Sequence, residues 1–253
     1  ADEEREPAAS LGPGAAIAVG KDGTAYGVAP GRGTLLRIPT DFDPETDSPE
    51  ESTVTEDGAE LTTGEAQLTV VGEEAVGLLV AEDGGALMLR PGRAPTDLSW
   101  LTDFTGARLQ AASAAGRDVL IAVRDGVVRV PLGRGKPQLD PVAVPGPPSQ
   151  PVVVEGCGHI AWGPGSMTYR YDCGHGEAQD VAIPKQAEQP QLVFRVNRDV
   201  VVLNDMRAGT VWLVQEAMEL VENWEDVTPP QRDTEDEEDS HDQIEEQLPL
   251  DRE

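Results

Sequence analysis

Two cysteines and two of the three histidines fall in a matched pair of tripeptides, Cys157-Gly-His159 and Cys173-Gly-His175. Two thiolates and two imidazoles are the donor set of a tetrahedral zinc site. The spacing argues against that chemistry. The usual short Cys-to-Cys gap is missing, and a single residue between Cys and His makes it awkward for both side chains to reach one ion. A disulfide between Cys157 and Cys173 is the stronger reading. Counted from a turn around Pro164 and Gly165, Cys157 lies about as far upstream as Cys173 does downstream, so the two can face each other across a hairpin. An even cysteine count also suits an oxidising compartment.

Other candidate sites are weaker. The run Asp41-Phe-Asp-Pro-Glu-Thr-Asp47 sets acids at alternate positions, as a calcium loop does, but has no Gly at its sixth position and Ser52 where the bidentate Glu belongs. It reads as a solvated insertion. Ser166 follows Gly165, yet Pro164 stands where a nucleophile elbow needs Gly. Trp100, Trp162 and Trp212 could line a carbohydrate or peptide groove; packing between sheets is the favoured reading. Trp224 is expected to pin the downstream segment, and His241 lies in an acidic tail. Acid–base catalysis needs a carboxylate or His held beside a nucleophile, and most acids here lie in low-complexity segments. No catalytic residue, metal site or cofactor is expected.

Those acids explain the net charge of −28. Residues 1–6 contribute −3, the stretch 41–65 contributes −10 without a single Lys or Arg, and 222–253 contributes −12. The rest of the chain is close to neutral, with its cations scattered singly. Nucleic-acid binding requires clustered Lys and Arg, so it is set aside, as is docking on anionic lipid. No apolar run reaches the roughly 18 residues that span a bilayer. The expected organisation is an acidic disordered lead at 1–10, a folded domain at 11–221 with an acidic insertion at 41–65, and an acidic linker at 222–253.

The elements that would position any site follow from an internal repeat. An apolar strand, a Gly-containing turn, a second apolar strand and a Pro/Gly-rich break recur five times. The paired segments are 24–28 with 34–38, 76–80 with 86–89, 119–123 with 127–130, 159–162 with 167–171, and 200–203 with 210–214. Their turns contain Gly33, Gly84, Gly126, Gly165 and Gly209, spaced 51, 42, 39 and 44 residues apart, and the long first interval holds the acidic insertion. An apolar segment precedes each pair, at 15–19, 66–71, 108–112, 151–154 and 191–196. A weaker one follows, as at 97–101, 141–144 and 180–183. Four short strands in roughly 42 residues is the size of a propeller blade. The run 119–123, Val-Leu-Ile-Ala-Val, is apolar at every position, as strands buried on both faces are. The expected fold is therefore all-β: an array of about five four-stranded blades, whole or part of a larger propeller. A β-sandwich is the alternative, ranked second because its strands alternate more cleanly than these do.

The segment Phe194-Arg-Val-Asn-Arg-Asp-Val-Val-Val-Leu-Asn-Asp-Met206, with Gly209-Thr-Val-Trp212 and Glu222-Asn-Trp-Glu-Asp-Val-Thr-Pro-Pro230, resembles large actinobacterial surface proteins with fibronectin type III or Ig-like repeats. Leu68-Thr-Val-Val-Gly72 and the two Cys-Gly-His tripeptides are similar too, so the resemblance covers most of 15–230. It implies that this chain is the propeller-like region of a longer protein, with a membrane anchor, the earliest blades and tandem Ig-like modules outside it. It implies, further, an extracellular, cell-surface location. The expected function is a non-catalytic scaffold or interaction module for a protein or cell-envelope ligand; the alternative is a secreted propeller-type hydrolase or lyase acting on carbohydrate. The resemblance brings no catalytic residue to any position here.

Overall fold

A computed structural model describes residues 9–30, 33–43, 46–53, 63–164, 168–173, 178–183, 188–214 and 218–221. The first of two units spans residues 1–220. The first unit is built from five four-stranded antiparallel sheets, each a meander in chain order. Blade 1 comprises β1 (Ala16–Val19), β2 (Ala25–Ala29), β3 (Thr34–Ile38) and β4 (Glu50–Thr53). Blade 2 comprises β5 (Thr63–Val71), β6 (Glu74–Ala81), β7 (Ala86–Leu89) and β8 (Thr96–Asp97). Blade 3 is β9 (Arg108–Leu109), β10 (Asp118–Val123), β11 (Gly126–Pro131) and β12 (Gln138–Pro141). Blade 4 is β13 (Val152–Val154), β14 (Cys157–Trp162), β15 (Thr168–Asp172) and β16 (Gln179–Ala182). Blade 5 is β17 (Leu192–Asn197), β18 (Val200–Asp205), β19 (Thr210–Leu213) and β20 (Glu219–Leu220).

The five repeated hairpins supply the two middle strands of every blade, as the periodicity predicts. Among the described residues no strand crosses between sheets, so the sandwich alternative does not apply. First strands of neighbouring blades lie side by side, β1 against β5, β5 against β9 and β13 against β17. Backbone bonds join neighbouring blades beside these strands: Gly72 N–H donates to Ser113 O at 2.9 Å, Ser113 N–H to Val70 O at 3.0 Å, and Ala111 N–H to Pro151 O at 2.8 Å.

The core sits between blades, which is why the middle strands lack alternation. Odd and even positions of β10 serve different neighbours: Val119, Ile121 and Val123 pack with Leu78, Val80 and Met88 of blade 2, whereas Leu120 and Ala122 pack with Ile160 and Trp162 of blade 4. Blades 4 and 5 meet through Ala161, Tyr169, Phe194, Leu203 and Trp212. Each large side chain so buried contributes about 1.5–3 kcal/mol. Polar side chains stitch the same seams. Trp162 Nε1–H donates to Val123 O at 2.8 Å. Arg170 forms a two-pronged pair with Asp180 at 2.6 and 2.8 Å and reaches Pro141 O of blade 3 at 2.9 Å.

Several expectations need correction. The fourth strands begin earlier than their apolar signals: 96–97, 138–141 and 179–182 replace 97–101, 141–144 and 180–183. These outer strands are partly exposed and pair through backbone, so hydrophobicity marks them poorly. The first strand of blade 3 shrinks to Arg108–Leu109, because past Leu109 the Leu120 N–H bonds the side chain of Gln110 in place of a strand carbonyl. The stretch 41–65 is not simply an insertion. Its Glu50–Thr53 is the fourth strand of blade 1, with Arg37 bonded to Glu50 at 3.0 Å, and its last residues open β5. The lead up to residue 8, Gly165, Ser166, Met167, His175, Trp224, His241 and the acidic linker lie outside the described residues.

Candidate functional site

The constellation in blade 4 resolves into two separate features. Cys157 and Cys173 are joined, with Cα atoms 3.9 Å apart. The β14–β15 register explains why: Gly158 pairs with Asp172, so the next pair outward is the two cysteines. With both sulfurs committed to each other, the zinc reading loses its thiolates. Among the described residues no cluster of His, Cys, Asp or Glu is arranged to hold a metal ion. In the calcium-like run, Asp47 instead accepts the Asp43 N–H at 2.9 Å.

His159 is buried between blades, its Nδ1 2.7 Å from the Tyr169 hydroxyl. Rings surround it, Tyr171 at 5.2 Å and Phe194 of blade 5 at 6.4 Å between centroids. Burial drives its pKa down from 6.5 to about 4, because the imidazolium loses its hydration there. Burial, with Tyr171 beside it, likewise raises the pKa of Tyr169. At neutral pH the pair is uncharged and closed from solvent, a packing element. The Tyr171 hydroxyl donates to Cys157 Sγ at 3.1 Å and links this cluster to the disulfide.

The tryptophans divide differently from the expectation. Trp162 and Trp212 are sealed between blades. Trp100 is 64% exposed, lies past the end of β8 and donates its Nε1–H to Asp97 O at 3.1 Å.

First strands of blades 2 to 5 line a cavity of about 810 Å³, with Gln67, Arg108, Gln150, Val153, Gln191 and Arg195 among the side chains on its wall. Its lining residues, all described, include two arginines, three glutamines, prolines and aliphatic groups, and no carboxylate. A second, wider depression of about 2010 Å³ is edged by the turns joining first to second strands. Its charges are largely paired. Arg129 lies 3.4 Å from Asp118 and 3.8 Å from Asp140, and also bonds Asp172; Glu74 holds Arg90 and Arg93 at 3.3 and 3.8 Å. The carboxyls of Asp22, Asp97 and Asp103 are held below the usual range by hydrogen bonds from Thr24, Ser99 and Thr105, two residues on. These are turn-forming aspartates, stabilised as anions and not poised as proton donors.

Sequence reading missed the glutamines of the inner strands. Gln67, Gln110, Gln150 and Gln191 recur at 43, 40 and 41 residues, close to the blade period, and that spacing was the available signal. Gln67 accepts the Leu109 N–H at 2.8 Å and donates to Ala107 O at 2.7 Å, while Gln150 donates to Leu109 O at 3.2 Å. Side-chain amides from two flanking blades therefore satisfy the backbone of one short strand. Gln110 turns inward and accepts the Leu120 N–H at 2.7 Å.

No family model matches the sequence, and no curated protein does. Solved structures do. A catalytically inactive variant of virginiamycin B lyase from Staphylococcus aureus, with quinupristin, is 12% identical with a TM-score of 0.55; the match covers 81% of this chain and 67% of that one. A streptogramin B lyase structure is 11% identical with a TM-score of 0.56, covering 83% and 68%. At such identity the likeness concerns the fold, which is a β-propeller-like array.

Proposed function

We propose that this chain is a non-catalytic extracellular scaffold or interaction module of a cell-surface repeat protein, binding a protein or cell-envelope ligand. The observation that carries the reading is the 810 Å³ cavity, whose described wall presents carboxamides, guanidinium groups and apolar side chains, with the Glu65 carboxylate bonded to Arg108 at 3.2 Å. General acid–base work needs a titratable group facing a cleft, and in the wider depression the carboxylates of Glu74, Asp118 and Asp172 are held by arginines. The cavity wall offers carboxamides, guanidinium groups and apolar surface instead, which suit recognition. The disulfide fits an oxidising compartment. Propeller-type lyase chemistry, suggested by the two lyase structures, would call for a proton-transfer group in a cleft. The one histidine among the described residues, His159, is buried between blades instead.

The test is co-sedimentation of the purified chain with insoluble cell-wall material, alongside an assay for new reducing ends or unsaturated products. Retention that falls at least tenfold in Arg108→Ser/Arg195→Ser, with no product released, supports the module. Product released in proportion to protein overturns it, and so does retention indifferent to both arginines.

A further inference from the structure

Arg129 and Arg170 spend their guanidinium groups on carboxylates. Arg195, on the wall of the 810 Å³ cavity, does not. It stands opposite Val202 on β17 and is exposed. Among the described residues it makes no ion pair and no side-chain hydrogen bond. Arg108 reaches the same cavity from blade 3 and is held by Glu65 of blade 2 at 3.2 Å, with side chains 49% and 46% exposed. Exposed pairs of this kind hold weakly, because water screens them and both side chains lose rotamer freedom. Gln67 and Gln150 give their amides to the backbone around β9. Among the described residues the Gln191 carboxamide makes no such bond.

A planar guanidinium takes a carboxylate through two parallel N–H bonds. A cleft with low-dielectric walls concentrates that charge on whatever enters. Much of the remaining wall is aliphatic, with Val153, Leu192, Val193 and Val196 beside prolines. The one aromatic ring among the lining residues, Phe194, is 6% exposed and packs toward blade 4, so a sugar ring finds no face to stack on. A peptide matches each part of the wall: aliphatic side chains for the valines, backbone amides for Gln191 and carboxylates for the arginines.

We infer that the cavity binds an acidic, aliphatic peptide segment of a partner protein, with Arg195 as its anion-binding residue and Glu65 as a competitor that holds Arg108 until a ligand carboxylate replaces it. This rests on the scaffold reading of the same cavity and adds the chemistry of the ligand.

Isothermal titration of the 253-residue chain tests it. Physiological ionic strength is used, where exposed charges more than about 8 Å apart are screened. The probes are a short peptide alternating valine and glutamate, its valine–glutamine counterpart, and oligogalacturonate. The glutamate peptide should bind at least tenfold more tightly than the glutamine peptide, and Arg195→Gln should weaken it at least tenfold. Glu65→Gln should tighten it at least threefold by freeing Arg108, while Glu82→Gln, at an exposed acid on the β6–β7 turn, leaves it unchanged. Equal affinity for the two peptides, an Arg195→Gln chain that binds like wild type, or equal gains from Glu65→Gln and Glu82→Gln overturn the proposal. Tighter binding of oligogalacturonate also overturns it, in favour of an anionic polysaccharide. No binding of either peptide, with cell-wall retention intact, overturns this inference alone. Product release in the cell-wall assay overturns the scaffold reading, whatever the peptides do.

Discussion

Acidification should loosen the seam between blades 4 and 5 through His159. Its pKa is about 4 in the folded chain and 6.5 when exposed. Between those values the unfolded chain takes up a proton that the folded chain refuses, so stability rises with pH across the window. The contribution is complete above pH 6.5, is lost as pH falls toward 4, and changes no further below. Converted at 1.36 kcal/mol per pH unit, the loss is about 3 kcal/mol. That is a large part of the 5–15 kcal/mol typical of a folded domain. It should lower the melting temperature by roughly 6–12 °C for an array of this size. Urea unfolding followed by tryptophan fluorescence suits the case, since Trp212 is buried in the same seam. Carboxylates also titrate below pH 5, so the comparison is with His159→Gln, which keeps a partner for the Tyr169 hydroxyl and does not titrate. Wild type should lose about 3 kcal/mol more than His159→Gln between pH 7.5 and 4. Parallel profiles for the two proteins would refute the desolvation argument.

Reducing the Cys157–Cys173 bond frees a loop of 16 residues and should cost about 3 kcal/mol in the chain-entropy model; calorimetry with and without reductant checks this, and an unchanged transition contradicts it. Trp162→Phe removes the donor to Val123 O and should cost about 1–3 kcal/mol, whereas Trp100→Ala, at an exposed site, should change urea stability by less than about 0.5 kcal/mol. Gly126→Ala would drive a Cβ into Asp140 O and set it 2.9 Å from Pro141 Cα, both backbone atoms of β12, and should destabilise by about 1–3 kcal/mol. Chemical denaturation would show it, and a neutral result would mean that β12 shifts freely.

The architecture was legible because each blade repeats the same local pattern. Five apolar hairpins mark the middle strands, since in the interior blades most residues there are buried by one neighbour or the other, as Leu120 and Ile121 are on opposite faces of β10. The Cys157–Cys173 pairing was legible too, because antiparallel register is a matter of counting from a turn. The outer strands were not. Glu50–Thr53 belongs to blade 1 through backbone pairing with β3, and its composition gives no apolar signal. Tertiary structure alone decided which tryptophans are core. Trp100 and Trp162 look alike in sequence, and only the placement of a neighbouring blade, with Val123 O ready to accept, separates them. The same holds for His159, whose tripeptide suggests a ligand until the rings of Tyr171 and Phe194 close over it. Local sequence determines strands, turns and register, because those are set by bonds between near neighbours. Which face meets which blade, what charge a buried group can hold, and which faces stay open depend on contacts some 40 residues apart.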